Sequence, residues 1–364
     1  MPKLVDNKKL LAYCEQIFQK VGVSKQDAYI TSENLVLADL RGIPSHGVAR
    51  LKRYVDGIRS GLIFPKNQPD IVKQTPSTAT VDGNGGLGQV AGHFSTQTAI
   101  TKARDTGVGI VVVRNSNHYG IAGYYSQMIL EAGMMGISMT NSAPLVVPTF
   151  GKDMMIGTNP ISLTAPTKRN RPFFLDMATS VVPRGKLEVY NRAVKPMPEG
   201  WAVDSQGKVT TDAAMVLKNM LDRVGGGILT LGGEGETYSG HKGYGMSLLV
   251  DILCGVLSGG AYADLVYAKK EGKIVPPNVC HFFMALKIEN FIDLDEFKDK
   301  MDDLIDRLKN SAKADGQNRI YIHGEKEYEK YEKYQLAGIP LEDKVYDILK
   351  EYSGEFGISF NIDK

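Results

Sequence analysis

The segment Pro44-Ser45-His46-Gly47-Val48-Ala49-Arg50, followed by Tyr54, combines a proton carrier with an anion holder. Histidine titrates near neutrality and can give or take a proton during catalysis. A helix beginning near Gly47 sets Arg50 and Tyr54 on one face, where a guanidinium can hold a carboxylate through two parallel hydrogen bonds. The same residues also fit a serine N-cap beside a surface histidine. A second histidine lies in Arg114-Asn115-Ser116-Asn117-His118-Tyr119-Gly120, at the end of an apolar strand-like run. Open α/β sheets place ligands at such strand ends.

Thr140-Asn141-Ser142, Gly157-Thr158-Asn159-Pro160 and Leu175-Asp176-Met177-Ala178-Thr179-Ser180 each border a strand pattern. Their hydroxyls and amides suit a ribose or phosphates, although ordinary turn chemistry explains any one of them alone. The Asp176 carboxylate is placed to orient a histidine. His241-Lys242-Gly243-Tyr244-Gly245 opens an apolar helix pattern, where a lysine joins outward-pointing N–H groups as an anion site or is simply exposed. His93, His281 and His323 have no partner pattern and read as structural or surface groups.

Gly83-Asn84-Gly85-Gly86-Leu87-Gly88 satisfies G-x-G-x-x-G between a strand and a helix pattern. It reads as a dinucleotide fingerprint or as a tight turn with close backbone approach. No metal set emerges, because the histidines lack i, i+4 pairing and Cys-x-x-Cys is missing. A serine hydrolase is disfavoured by the lack of G-x-S-x-G.

These segments need a scaffold, and 364 residues suggest two structural units. Helical periodicity covers 7–20, 25–40 with Ser24 or Asp27 as cap, and about 48–58. No strand signal precedes Ser77-Thr78-Ala79-Thr80-Val81. Strand-like runs follow at 110–113, 136–140, 161–165, 173–175, 227–231 and 281–288, with helices at 93–106, 122–133 and 243–257. Such alternation predicts an α/β unit over 75–290. Residues 1–74 and 291–364, the latter with helices at 294–312 and 326–352, are expected to form a helical unit together.

With 43 Lys plus Arg against 41 Asp plus Glu, the net charge of +2 gives no reason to expect nucleic acid or an anionic membrane as partner. Cys14, Cys254 and Cys280 form neither a disulfide framework nor a zinc site and are expected as buried thiols in a reducing compartment. The N-terminus lacks a signal-peptide pattern, and the apolar stretch 244–257 carries Asp251 and is too short to span a bilayer. A cytoplasmic location is the expectation.

In this order the segments resemble the type 2 malate/L-lactate dehydrogenase family, over nearly the whole chain: Ser45-His46-Gly47-Val48 with Arg50, Asn117-His118-Tyr119-Gly120, Thr140-Asn141-Ser142, Gly157-Thr158-Asn159-Pro160, Leu175 to Ser180 and Lys242-Gly243-Tyr244-Gly245. The family also includes ureidoglycolate, sulfolactate and diketogulonate oxidoreductases. The resemblance implies a homodimer with a non-Rossmann α/β domain and a mixed sheet, binding NAD or NADP, and it makes Gly83–Gly88 a structural or substrate-side turn. It implies hydride exchange between the nicotinamide and a small 2-hydroxy or 2-oxo acid, with malate expected and lactate, ureidoglycolate or sulfolactate as alternatives; a non-catalytic binding protein is the distant one. Malate is favoured by the segment from Pro144 to Gly151. By the same resemblance His46 is the proton donor with Ser45 and Asp176 orienting it, and His118 is the rival acid/base. Arg50 and Tyr54 match substrate-carboxylate positions. Ser142, Pro172, Phe173, Phe174, Leu175, Met177, Ala178, His241, Lys242, Gly324 and Glu325 match cofactor contacts. His323 departs from the usual proline before Gly324-Glu325.

Overall fold

The computed structural model describes residues 3–267, 269–270 and 273–364. Strand β1 (Lys3–Val5) leads into Asp6, whose carboxylate accepts from the N–H groups of Lys8 and Lys9 at 3.0 and 2.9 Å. Helix α1 (Asn7–Lys20) then buries Leu10, Tyr13, Cys14, Ile17 and Phe18 along one stripe. Ser24 caps α2 (Lys25–Leu40) through the N–H of Asp27. This helix is covered on several sides: Leu35 and Val36 join the core of the terminal helices, while Ala38 joins the core under the sheet. Its polar residues Thr31, Asn34 and Asp39 are therefore buried too.

A single 3₁₀ turn (Val48–Arg50) precedes α3 (Leu51–Arg59). The chain continues through β2 (Asp70–Gln74), β3 (Thr78–Asp82), α4 (Gly88–Thr106), β4 (Val108–Ser116), α5 (Ala122–Glu131), β5 (Met135–Thr140), β6 (Ile161–Ala165) and β7 (Phe173–Met177). A lobe with its own core of Val146, Ile156, Leu187, Val216 and Ile228 follows. It contains α6 (Arg184–Arg192), β8 (Ala202–Val203), β9 (Val209–Thr210), α7 (Ala213–Asp222) and β10 (Gly227–Ile228). Then come α8 (Gly240–Asp251), running on into a π-helical turn (Ile252–Val256), the ribbon β11 (Lys269–Lys270) with β12 (Lys273–Ile274), and β13 (Val279–Leu286). Helices α9 (Leu294–Asn310) and α10 (Glu325–Ala337), strand β14 (Ile339–Leu341) and α11 (Asp343–Phe356) complete the chain.

Seven strands form the main sheet in the order β2-β3-β4-β13-β5-β6-β7. Only β3 and β4 run parallel; every other neighbouring pair is antiparallel. The sheet is mixed, as expected, and is not the parallel Rossmann arrangement. Helices α4 and α5 cover one face through Ala99, Ile100 and Tyr125, and Val250 and Cys254 cover the other.

Three expectations change. Strands do exist before Ser77, although the sequence carries no signal for them: β1 is too short to show a period, and β2 is exposed along its whole length, so no apolar alternation marks it. The helix expected over 326–352 is cut at Gly338 (φ 92°), where Ile339-Pro340-Leu341 pairs antiparallel with β1. The strand over 227–231 shrinks to Gly227–Ile228. Residues from both ends do share one core, in which Val5, Leu10 and Phe18 meet Ile339, Leu349 and Ile362. Helix α9 serves the β6–β7 turn instead: buried Asp302 accepts from the N–H groups of Lys168, Arg169 and Asn170 at 3.2, 2.8 and 3.0 Å. The three cysteines are buried free thiols. No helix among the described residues is long and apolar enough to cross a membrane.

Candidate active site

The loop after α2 is shaped by Asp39. Its carboxylate accepts from Val48 N–H at 2.8 Å, capping the turn that leads into α3. A Cβ on Gly47 would lie 2.0 Å from Asp39 Oδ1, so only glycine lets the loop settle onto this carboxylate. Burial, partly opposed by that N–H, raises the Asp39 carboxyl to about 7. Ser45 and His46 project from the anchored loop, with Ser45 Oγ 2.9 Å from His46 Nδ1.

His118 reaches the same place from the end of β4. Its ring lies 5.6 Å from that of His46, centroid to centroid. The glycine-rich loop Gly83–Gly88 supports this approach from below. Asn117 Nδ2 donates to the carbonyls of Gly85 and Gly86 at 3.0 and 2.8 Å. A Cβ on Gly88 would fall 2.5 Å from the His118 carbonyl oxygen. The fingerprint-like motif is thus a structural turn that packs against Asn117 and His118.

Tyr54 is fully buried, and its hydroxyl sits 2.6 Å from His118 Nδ1. Gly120 N–H also points at that nitrogen at 3.3 Å. A backbone N–H can only donate, so Nδ1 is the acceptor, Tyr54 donates to it, and Nε2 carries the ring proton. Tyr54 therefore orients His118 and does not itself line the cavity that His118 borders. Both histidines are held neutral. Burial, then the charges of Arg50 and Arg53, lower His46 to about 4. Burial, Arg53 and His46 itself push His118 well below its ordinary value.

Two cavities meet at Ser45 and His46. The smaller, about 310 Å³, is lined by His118 and Ser142 and by Arg50, Arg53 and Arg184. Arg50 is steadied by donating from Nε to the Ser45 carbonyl at 2.6 Å. The larger, about 590 Å³, runs along Phe174, Leu175, Asp176, Met177 and Ala178 to the loop Ile322–Gly324. That loop is tied to the edge of the sheet because Phe174 N–H donates to the His323 carbonyl at 3.1 Å. A backbone bond needs no particular side chain, so the loop closes the cavity with histidine in place of the usual proline.

The expected residues divide accordingly. Ser45, His46, Asp176, Phe174, Leu175, Met177, Ala178 and Gly324 line the larger cavity, and Arg50, His118 and Ser142 the smaller one. Asp176 takes its hydrogen bond from Gly123 N–H at 2.8 Å rather than from His46, and burial raises its carboxyl to about 6. Pro172 and Phe173 lie just outside the cavity, Phe173 packing on the His323 ring at 5.7 Å. His241 and Lys242 are exposed at the start of α8 and line neither cavity. Glu325 is buried away from the cavity; burial alone would raise its carboxyl, but Lys309 at 2.6 Å and Arg319 at 3.0 Å hold it below the ordinary value. Sequence reasoning missed Arg41, Arg53 and Arg184. Arg53 sits one helical turn after Arg50, the only signal that pointed to it.

The residues fit a dinucleotide. The larger cavity falls in the ~300–1,000 Å³ range of cofactor sites, and its wall includes Arg41, whose Nε is buried with no hydrogen-bond partner among the described residues. The malate/L-lactate dehydrogenase family matches residues 5–350. Malate dehydrogenase of Pyrococcus horikoshii is 52% identical over 354 residues, covering 97% of this chain and 96% of the relative. L-sulfolactate dehydrogenase of Methanocaldococcus jannaschii is 40% identical, covering 97% and 96%. The crystal structure of malate dehydrogenase from Entamoeba histolytica superposes with a TM-score of 0.95 at 36% identity, covering all of both chains. With a proton carrier where a dinucleotide-sized cavity meets an arginine-lined chamber, and with this likeness along its length, the chain belongs to the malate/L-lactate dehydrogenase family of 2-hydroxy acid oxidoreductases.

Proposed function

We propose that the protein is an NAD-dependent malate dehydrogenase, interconverting malate and oxaloacetate. The observation that carries this reading is the set of three guanidiniums, Arg50, Arg53 and Arg184, around one small chamber. One carboxylate needs one bidentate arginine. The further two favour a substrate with a second anionic group over lactate. L-sulfolactate is the second reading, because a sulfonate meets the same need and a relative of that name is 40% identical.

A nicotinamide dinucleotide bound along Phe174 to Ala178 supplies the hydride for C2 of the oxo acid. Arg50 clamps the C1 carboxylate and so turns one face of the carbonyl toward the larger cavity. Arg53 and Arg184 hold the distal anion. His46, which borders both cavities, exchanges the proton at the C2 oxygen, with Ser45 holding its Nδ1 edge. Neutral His46 is the form needed to accept a proton from the hydroxy acid. A bound dianion offsets Arg50 and Arg53, and this lifts the imidazole toward the protonated form needed for reduction. NAD is favoured over NADP because the Asp176 and Glu327 carboxylates line the cofactor cavity; an acidic group accepts from ribose hydroxyls and repels a 2′-phosphate.

We further infer a homodimer. Leu249, Ile252, Val256 and Leu257 leave one side of α8 and its π-helical extension apolar and about half exposed. Light scattering of the purified protein tests it, a monomer mass being the contrary result.

Initial rates with oxaloacetate, sulfopyruvate and pyruvate, each with NADH and NADPH, test the substrate reading. Fastest turnover of oxaloacetate with NADH is expected. A preference for sulfopyruvate would move the assignment to sulfolactate, and a preference for pyruvate would overturn the role given to Arg53 and Arg184.

A further inference from the structure

Arg41 ends α2, five positions before His46, and is 3% exposed. Its guanidinium carbon lies 4.0 Å from the centre of the Phe174 ring and 5.0 Å from that of Tyr328. Nη2 donates to Gln127 Oε1 at 2.8 Å. Nε is buried without a partner. No carboxylate among the described residues forms an ion pair with Arg41, although Asp176 is near enough for its carboxyl to be stabilised by the positive charge. The side chain belongs to the wall of the cofactor cavity, together with Phe174, Asp176 and Glu327.

Magnitudes decide what this arrangement means. Taking an arginine out of water costs several kcal/mol even after relaxation. Stacking on aromatic faces returns roughly 0.5–2 kcal/mol per contact, and one neutral hydrogen-bond acceptor adds about as much. Two rings, a glutamine and the Tyr328 hydroxyl therefore supply no full counter-charge, and one guanidinium nitrogen stays unsatisfied among the described residues. A structural arginine in this position would end on a carboxylate. A ligand-binding one keeps its donors for an anion that arrives with the ligand.

We propose that Arg41 is a phosphate anchor of the dinucleotide cofactor, its stacked guanidinium held ready for a phosphate oxyanion. The proposal rests on the reading of this cavity as the nicotinamide-cofactor site. Phe174 and Tyr328 fix the plane of the guanidinium, and Gln127 fixes its rotation, so little side-chain freedom is lost on binding. The oxyanion belongs to the pyrophosphate or to a 2′-phosphate. The chemistry is the same for both, and the probes below separate them.

The test is calorimetric titration of wild type, Arg41→Lys and Arg41→Gln with adenosine, ADP-ribose and 2′-phospho-ADP-ribose, beside NADH fluorescence titration. Loss of a charge-assisted hydrogen bond is expected to weaken ADP-ribose and NADH binding about 10- to 100-fold in Arg41→Gln. Arg41→Lys, which keeps the charge but not the fork, is expected to lose less. Adenosine affinity should stay unchanged in both. A loss confined to 2′-phospho-ADP-ribose would place the anion at the 2′ position and leave the anchor standing. Equal affinities of wild type and both variants for all phosphate probes would overturn the proposal. So would an equal loss for adenosine, which marks a merely structural arginine. Should Arg41→Gln fail to fold, the Lys variant decides by the same comparison. Folded wild type that bound neither NADH nor ADP-ribose would instead overturn the reading of the cavity, and Arg41's role with it.

Discussion

The imidazole rings of His46 and His118 lie nearly parallel, 23° apart, with centroids separated by 5.6 Å. They come from different elements, the loop after α2 and the end of β4, and have different supports. His46 has Ser45 and borders both cavities; His118 has Tyr54 and borders only the smaller one. Two rings so close, beside Arg50 and Arg53, do not both take up a proton at neutral pH.

This asymmetry predicts unequal losses. His46→Ala should lower kcat by about 10²- to 10⁴-fold, the range of acid/base catalysis, and His118→Ala should lower it less. Steady-state kinetics of the two variants check it. A larger loss in His118→Ala would exchange the two roles, and near-wild-type turnover in both would remove the acid/base role from the pair.

Tyr54→Phe removes the donor to His118 Nδ1 without changing the ring that packs in the core. The expected result is a lower kcat with little change in KM for the oxo acid, and a stability loss of about 1 kcal/mol. A rise in KM at unchanged kcat would show instead that Tyr54 acts on the substrate carboxylate.

Arg53→Met should move the pH profile. Burial and the Arg50 and Arg53 charges lower His46 to about 4. With one positive neighbour gone, the protonated form costs less and the pKa rises. The acid limb of kcat/KM for hydroxy acid oxidation is then expected at higher pH than in wild type. An unmoved limb would mean that another group sets it.

Asp39→Asn tests the buried carboxyl under the His46 loop. Its folded pKa is raised from 3.8 to about 7. Over that window the folded protein binds more protons than the unfolded chain, so this group's contribution to stability falls as pH rises. The stability of wild type relative to Asp39→Asn should therefore decline between about pH 4 and 7 and level off above. Chemical denaturation across that range measures it, and a constant or rising difference would contradict the raised pKa.

Much of the scaffold was legible before folding was considered. The helices 7–20 and 25–40 and the strand 161–165 stand where local periodicity put them, because apolar spacing within one segment reports the face that segment buries. Strand β2 left no such mark because no face of it is buried, and β14 exists only because β1 lies beside it.

The site follows the same division. Residue types and order in the sequence determined the family, the candidate proton carriers and the candidate carboxylate clamp Arg50. The chemistry of Ser45-His46 is local, and adjacent residues carry it wherever the loop goes. Tertiary structure alone decided that Tyr54 serves His118, that Glu325 turns to Lys309 and Arg319 rather than into the cavity, and that His241 and Lys242 stand apart from both cavities. It also gathered Arg53 and Arg184 on one chamber and left Arg41 buried with no ion pair among the described residues. A charge acquires its meaning from the groups within a few ångströms and from the water it has lost, and both are set only when distant segments pack.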